Sequence, residues 1–166
     1  MVRNGATSED VGVELRQAFS AFPTGVVAVC ALGDDGRPLG MAVNSFTSIS
    51  LDPPLVAISL ANTSQTWPAL AGKASLGLSV LGTSQEQVSR QLSSRSGDRF
   101  DGVKWASSES GAVHLDDATL WLTCRVRDKM EGGDHTIVVL DVNDVQSHPD
   151  IEPLVFHHSR YRTISV

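Results

Sequence analysis

Asn44-Ser45-Phe46-Thr47-Ser48 sets four polar side chains around one aromatic, in a stretch that otherwise reads as strand. An amide side chain offers both donor and acceptor, and hydroxyls adapt to either. The segment therefore suits a flat, hydrogen-bonding ring; the alternative is an exposed strand whose Ser and Thr cover its edge. Asn62-Thr63-Ser64-Gln65-Thr66 follows a short apolar run and opens a short helix. Backbone amides at a helix start, with hydroxyls beside them, suit a phosphate without a lysine. Capping by Ser64 or Thr63 explains the same residues without a ligand. In Asp98-Arg99-Phe100 the guanidinium could contact an anion or simply pair with Asp98. Gly133-Asp134-His135 reads as a turn whose histidine is either structural or solvated, or else orients a substrate amide.

Absences narrow the chemistry further. Neither a G-x-G-x-x-G loop after a strand nor a G-x-x-x-x-G-K-S/T loop is present, and no G-x-S-x-G elbow is written. His114, His135, His148, His157 and His158 lack metal-ligand spacing with Cys or Asp, so no metal site is expected. Cys30 and Cys124 both sit in apolar runs and read as small hydrophobes.

The elements that must position these clusters follow from periodicity. A helix capped by Thr7 or Ser8 carries Val11, Leu15, Ala18, Phe19 and Phe22 on one side and stops at Pro23. Residues 25–32 form a strand, 34–38 a turn containing Asp35-Gly36, and about 39–49 a second strand, which together make a hairpin. After Asp52-Pro53-Pro54 a short apolar strand covers 55–60. A short helix over 66–71, a strand over 75–81 and a helix over 84–92 capped by Ser84 come next. Residues 93–111 read as a long loop, and long loops in compact domains are often functional. Leu120, Leu122, Cys124 and Val126 alternate with Trp121, Thr123, Arg125 and Arg127 as a half-buried strand. A turn at Gly132-Gly133-Asp134 leads back antiparallel along 137–145, with short strands over 154–157 and 161–164. About six or seven strands in hairpin-like order, with about three short helices, favour an antiparallel barrel or sandwich over a doubly wound sheet.

The chain has 166 residues, 41% hydrophobic and 19% charged, with a formal net charge of -6. Residues 1–10 read as a flexible N-terminus and 11–166 as a single domain. An acidic surface attracts neither phosphate backbones nor anionic lipid, so neither nucleic acid nor membrane is an expected partner. No run approaches the ~20 apolar residues of a membrane span, and the N-terminus has no signal-peptide character. A cytoplasmic location is expected.

Several of these pieces, in order, resemble the flavin reductase family, whose members supply reduced flavin to two-component monooxygenases. They are Phe22-Pro23-Thr24-Gly25-Val26, Gly40-Met41-Ala42-Val43 running into Asn44-Ser45-Phe46-Thr47-Ser48, and Leu51-Asp52-Pro53-Pro54-Leu55-Val56. Then come Ser64-x-Thr66, Asp98-Arg99-Phe100, Gly133-Asp134-His135-Thr136, Pro153-Leu154-Val155-Phe156-His157 and Tyr161-Arg162. The resemblance implies a mainly β fold, the FMN-binding split β-barrel, an antiparallel Greek-key barrel with flanking short helices, assembled as a homodimer.

It also implies an NAD(P)H:flavin oxidoreductase that passes hydride from NADH or NADPH to FMN or FAD, with a flavin-dependent monooxygenase component as partner. By resemblance the ring lies along Thr24, Gly25, Val26 and the segment Asn44, Ser45, Phe46, Thr47, Ser48. The phosphate sits near Ser64 and Thr66. His135 is the catalytic candidate beside the nicotinamide, with Tyr161 near the same pocket, and Arg99 and Phe100 line the long loop beside the site. Relatives often carry a basic residue where this chain has Gln65, which implies a weaker charge contact to the phosphate and a modest grip on flavin. The alternative function on the same barrel is a non-enzymatic flavin-binding carrier or redox sensor. An oxidase of the pyridoxamine-phosphate type would explain the fold but not Asn44–Ser48 or Gly133–His135.

Overall fold

The computed structural model describes residues 7–164; of the stretch 1–10 expected to be flexible, 1–6 lie outside the described residues, and Ser8–Asp10 instead form the first turn of a helix. Helix α1 (Ser8–Phe19) begins where Thr7 and Asp10 form a reciprocal capping box, the arrangement that satisfies two otherwise orphan amides at once. Strands β1 (Thr24–Gly25), β2 (Val27–Leu32), β3 (Pro38–Val43), β4 (Thr47–Leu51) and β5 (Pro54–Ala61) follow, then helix α2 (Trp67–Ala71) and β6 (Leu76–Leu81). A single 3-10 turn over Thr83–Gln85 leads into α3 (Glu86–Ser93). The chain ends through β7 (Trp105–Ser107), β8 (Val113–Leu115), the long hairpin β9 (Ala118–Gly132) and β10 (His135–Ser147), and the small hairpin β11 (Val155–His157) and β12 (Arg160–Arg162). The mainly β, antiparallel architecture agrees with the sequence reading.

Seven strands form one antiparallel sheet in the order β3-β2-β6-β9-β10-β5-β4. Laid flat at about 4.8 Å spacing, its outer strands would stand about 29 Å apart. Only Asn44, Ser45 and Phe46 join the end of β3 to the start of β4, and four residue steps reach about 14 Å. The sheet must therefore curl enough to bring the end of β3 within reach of the start of β4, which is consistent with a barrel-like form. β1, β11 and β12 make a separate three-stranded sheet, and β7 pairs with β8.

The curl gives the sheet two apolar sides. Val27, Val29, Ile58, Leu76, Leu78, Leu122, Val138 and Leu140 fill one. Val26, Ala28, Cys30, Leu81, Leu92, Val113, Leu115 and Leu154 fill the other, between the sheet and α3, β8 and β11. This is why β2 reads as an unbroken apolar run rather than an alternating one: neighbouring residues are buried on opposite faces. Gly77 permits the outer layer to sit close, since a Cβ there would lie 2.0 Å from the Val113 carbonyl oxygen. Both cysteines are fully buried in these layers; burial raises the Cys30 thiol pKa and pushes Cys124 up to about 12, so neither is a reactive thiolate.

Three expectations are corrected. The strand over 39–49 is two strands, interrupted at the Asn44–Phe46 connection. The loop 93–111 contains β7, whose three residues pair with β8 and escaped notice because Ala106 and Ser107 carry no apolar alternation. α3 starts at Glu86, not at a Ser84 cap; the Gln85 side chain instead accepts from the Gly82 amide at 2.8 Å and donates to the Asp116 carbonyl at 2.8 Å. Among the described residues no helix is long and apolar enough to cross a membrane.

His114 is buried between Trp121 and Thr123, with Nε2 3.3 Å from the Leu122 carbonyl, and burial lowers its pKa. The unfolded chain then binds the proton more readily than the native one, so native stability falls as pH drops through the ordinary histidine value near 6.5. We expect the urea midpoint to fall between pH 7.5 and 5.5, and the fall to be smaller in His114→Gln. An equal fall in both proteins would remove His114 as its cause.

Candidate functional site

Two adjoining clefts lie between β3 and α3, one of them reaching the β3–β4 connection at Asn44. The first, about 120 Å³, is lined by Val26, Ala42, Val43, Asn44, Ser89, Ser93, Phe156 and Tyr161. The second, about 500 Å³, is lined by Met41, Ala42, Ala61, Thr63, Ser64, Gln65, Thr66, Leu92, Ser93, Arg95 and Arg99. Ala42 and Ser93 line both, so they make one trough from Tyr161 and Asn44 at one end to Ser64, Thr66 and the arginines at the other. β3 forms its floor, and the side of α3 that carries Ser89 and Ser93 forms a wall.

Of the flagged residues, Val26, Asn44, Ser64, Thr66, Arg99 and Tyr161 line this trough, and Thr24, Gly25, Ser45, Phe46, Thr47, Ser48, Phe100 and His135 do not. Asn44 is exposed at its upper end. The Ser45 hydroxyl donates to the Ser59 carbonyl at 2.8 Å and accepts from the Ser59 amide at 2.9 Å, which pins the connection onto β5. Phe46 packs on the inner core. Thr47 and Ser48 are exposed at the start of β4, beside a bulge in its pairing with β5. Ser45 and Phe46 are thus anchors that leave Asn44 presented.

Ser64 Oγ accepts from the Trp67 amide at 3.2 Å and lines the trough; the N-cap position of α2 belongs to Thr66, which makes no side-chain capping bond, so neither Ser64 nor Thr63 is the cap. Arg99 does not pair with Asp98. One of its terminal nitrogens donates to the Gly40 carbonyl at 3.0 Å and to Thr66 Oγ1 at 2.7 Å, fixing the guanidinium in the trough. Asp98 instead accepts from the Phe100 amide at 2.9 Å, turning the chain so that Phe100 enters the outer core. Gly40 makes room: a Cβ there would stand 3.0 Å from the Phe100 ring.

At the upper end, Thr24 and Gly25 pair with Phe156 and Val155. Thr24 Oγ1 is buried and has no hydrogen-bond partner among the described residues, an arrangement that costs free energy unless something external meets it. Tyr161 Oη lies 2.8 Å from Ser89 Oγ, its ring is edge-on to Phe156, and Arg90 lies 4.9 Å from the ring centre. His135 stands apart from both clefts, at the start of β10, paired with Ala61 of the trough. Its Nδ1 is 2.8 Å from Asp134 Oδ1. A carboxylate only accepts, so Nδ1 is the donor here, and Nε2 has no hydrogen-bond partner among the described residues; the same bond lowers the Asp134 carboxyl pKa. Asn62 clamps this turn through Asp134, Gly133 and Thr136.

Sequence reading missed Ala42, Ser89, Ser93 and Arg95. Ser89 and Ser93 are four apart on a helix and so share a face, a spacing visible in the sequence. That this face looks onto β3 depends on the packing of α3. If Ser45 is an anchor, Ser45→Ala strands the Ser59 amide and carbonyl. A loss of about 1–2 kcal/mol follows, or about 3–6 °C in the melting temperature by circular dichroism; an unchanged Tm would contradict that role.

Residues 19–165 match the family model described as flavin reductase like domain. A flavin reductase of Pseudomonas putida is 35% identical over 146 residues, covering 88% of this chain and 86% of that protein. The reductase component of a flavin-dependent trigonelline monooxygenase of Acinetobacter baylyi is 38% identical over 81% of this chain, which spans 43% of that longer protein. The solved NADH:FAD oxidoreductase of Streptomyces globisporus, in complex with NAD and FAD fragments, superimposes with a TM-score of 0.88 at 36% identity, covering 98% of each chain.

Proposed function

The chain belongs to the flavin reductase like domain family, and from that premise we propose that it catalyses hydride transfer from NADH or NADPH to FMN or FAD and delivers the reduced flavin to a monooxygenase. The observation that carries this reading is the trough. It is polar at both ends and cationic at one; Thr24, whose buried hydroxyl has no partner among the described residues, does not line it but pairs with Phe156, which does. Similarity to a flavin reductase, to a monooxygenase reductase component and to an NADH:FAD oxidoreductase supports the same reading.

The residues fit a flavin. Thr24 Oγ1 is a buried donor and acceptor with nothing in the described chain to meet. A Cβ at Gly25 would meet no atom within 4 Å, so the chain itself gives no packing reason against a close ligand there. Asn44 offers both senses of hydrogen bond to a ring edge. Ser64, Thr66 and Arg99 would hold the phosphate. α2 has only five residues, so its dipole adds little and the charge comes from Arg99. The side chain that Gln65 does not charge is replaced from across the trough.

When bound, the flavin supplies the ring that accepts a hydride and the nicotinamide supplies the hydride, so the protein needs no nucleophile. Its own residues orient and exclude water. Val26, Val43 and Phe156 line one end with apolar surface. Thr24 and Asn44 fix the ring's polar edge. Phe46, Thr47, Ser48 and Phe100 shape its surroundings, and Tyr161 closes the end. His135, with Nε2 free, is the group we assign to the nicotinamide amide. The exposed apolar side chains of Leu15 and Phe19, four apart on α1, with the exposed Phe22 just beyond it, support a homodimer, since exposed apolar patches mark contact surfaces. A single domain and a cytoplasmic setting complete the proposal.

The decisive test is steady-state NADH oxidation by the purified protein with added FMN or FAD. Turnover is expected; bound flavin without turnover would make it a carrier module. Thr24→Val removes the orphan hydroxyl at constant shape. It should leave the ligand-free Tm unchanged or slightly raised while weakening flavin binding about three- to tenfold by fluorescence titration. His135→Ala should raise KM for NADH with little change in flavin affinity; an effect on flavin alone would reassign it.

A further inference from the structure

We propose that Arg95 reads the second phosphate of a dinucleotide flavin, so that this chain binds FAD more tightly than FMN. The inference rests on the flavin reading above and assigns a residue that lies outside the clusters carrying the family resemblance.

The trough holds two guanidinium groups in different states. Arg99 is half-buried and tethered by the Gly40 carbonyl and Thr66 Oγ1. That position suits an anion beside Ser64 and Thr66, the place of the phosphate that FMN and FAD share. Arg95 is exposed, two residues beyond the end of α3, and enters no salt bridge among the described residues. It lines the same cleft as Arg99.

No carboxylate lines that cleft, although the chain as a whole carries a formal charge of -6. The positive field is therefore local, and a site lined by one sign of charge concentrates the opposite one. One tethered and one free arginine offer two separate anion contacts. The phosphomonoester of FMN is compact and needs one. The pyrophosphate of FAD spreads its charge over two phosphates, and guanidinium groups suit such oxygens by their forked donors. A cleft of about 500 Å³ lies within the range of sites that take whole ligands, which leaves space beyond the first phosphate.

The test titrates riboflavin, FMN and FAD into wild type and Arg95→Gln, following flavin fluorescence. Wild type should prefer FAD to FMN by about fivefold or more. The variant should lose about tenfold in FAD affinity, less than about twofold in FMN affinity and nothing in riboflavin affinity, with unchanged circular dichroism. Equal losses for FMN and FAD, or no loss for either, overturn the assignment while leaving the flavin reading intact. A change confined to the KM for NADPH overturns it too, and moves Arg95 to the coenzyme's 2′-phosphate. Failure of wild type to bind any of the three flavins overturns both this inference and the reading it rests on.

Discussion

Three residues between β3 and β4 hold the architecture together. They are too few to span a flat seven-stranded sheet, so they force its edges toward each other, and the hydroxyl of Ser45 ties the join to the backbone of Ser59 on β5. Asn44 beside it stays exposed and lines the trough because its neighbours are spent on anchoring. A connection that must both close the sheet and stay polar cannot continue either strand. The break is thus the place where backbone and side-chain hydrogen-bonding groups are left over for a ligand.

The opposite end of the trough works by charge rather than closure. An acidic protein gathers two arginines against one cleft and keeps carboxylates away from it. Arg99 spends hydrogen bonds on Gly40 and Thr66, which fixes its direction before any ligand arrives. Such preorganisation lowers the ordering cost of binding. Hydrogen bonds at one end and charge at the other suit a molecule with a flat polar ring and an anionic tail, bound without a covalent step.

Much of this was legible from residue types. The hairpin order, the apolar runs and the turn signals read as an antiparallel fold because period-two alternation and Gly/Asp turns are local properties. The Asn44–Ser48 and Ser64–Thr66 clusters stood out because polar residues in strand-like or strand-following segments need a reason. Arg99 was visible but not its partner, since Gly40 and Thr66 lie 59 and 33 positions away. Arg95 was invisible as a site residue: an arginine in a Ser-rich loop looks solvated until α3 is placed against β3. β7 escaped because a three-residue strand is defined by its partner and not by its own pattern.

The sequence by itself determined which segments are apolar, where the chain turns, and which side chains could bond a ring or an anion. Those depend on spacing over a few residues. Only the tertiary structure decided that Ser45 serves the backbone while Asn44 faces the trough, that Thr24 keeps a buried hydroxyl unmet, and that Arg95 and Arg99 share one cleft. Each of these is a relation between residues far apart in the chain. It is set by how the sheet curls and which helix covers it, and no local pattern carries that information.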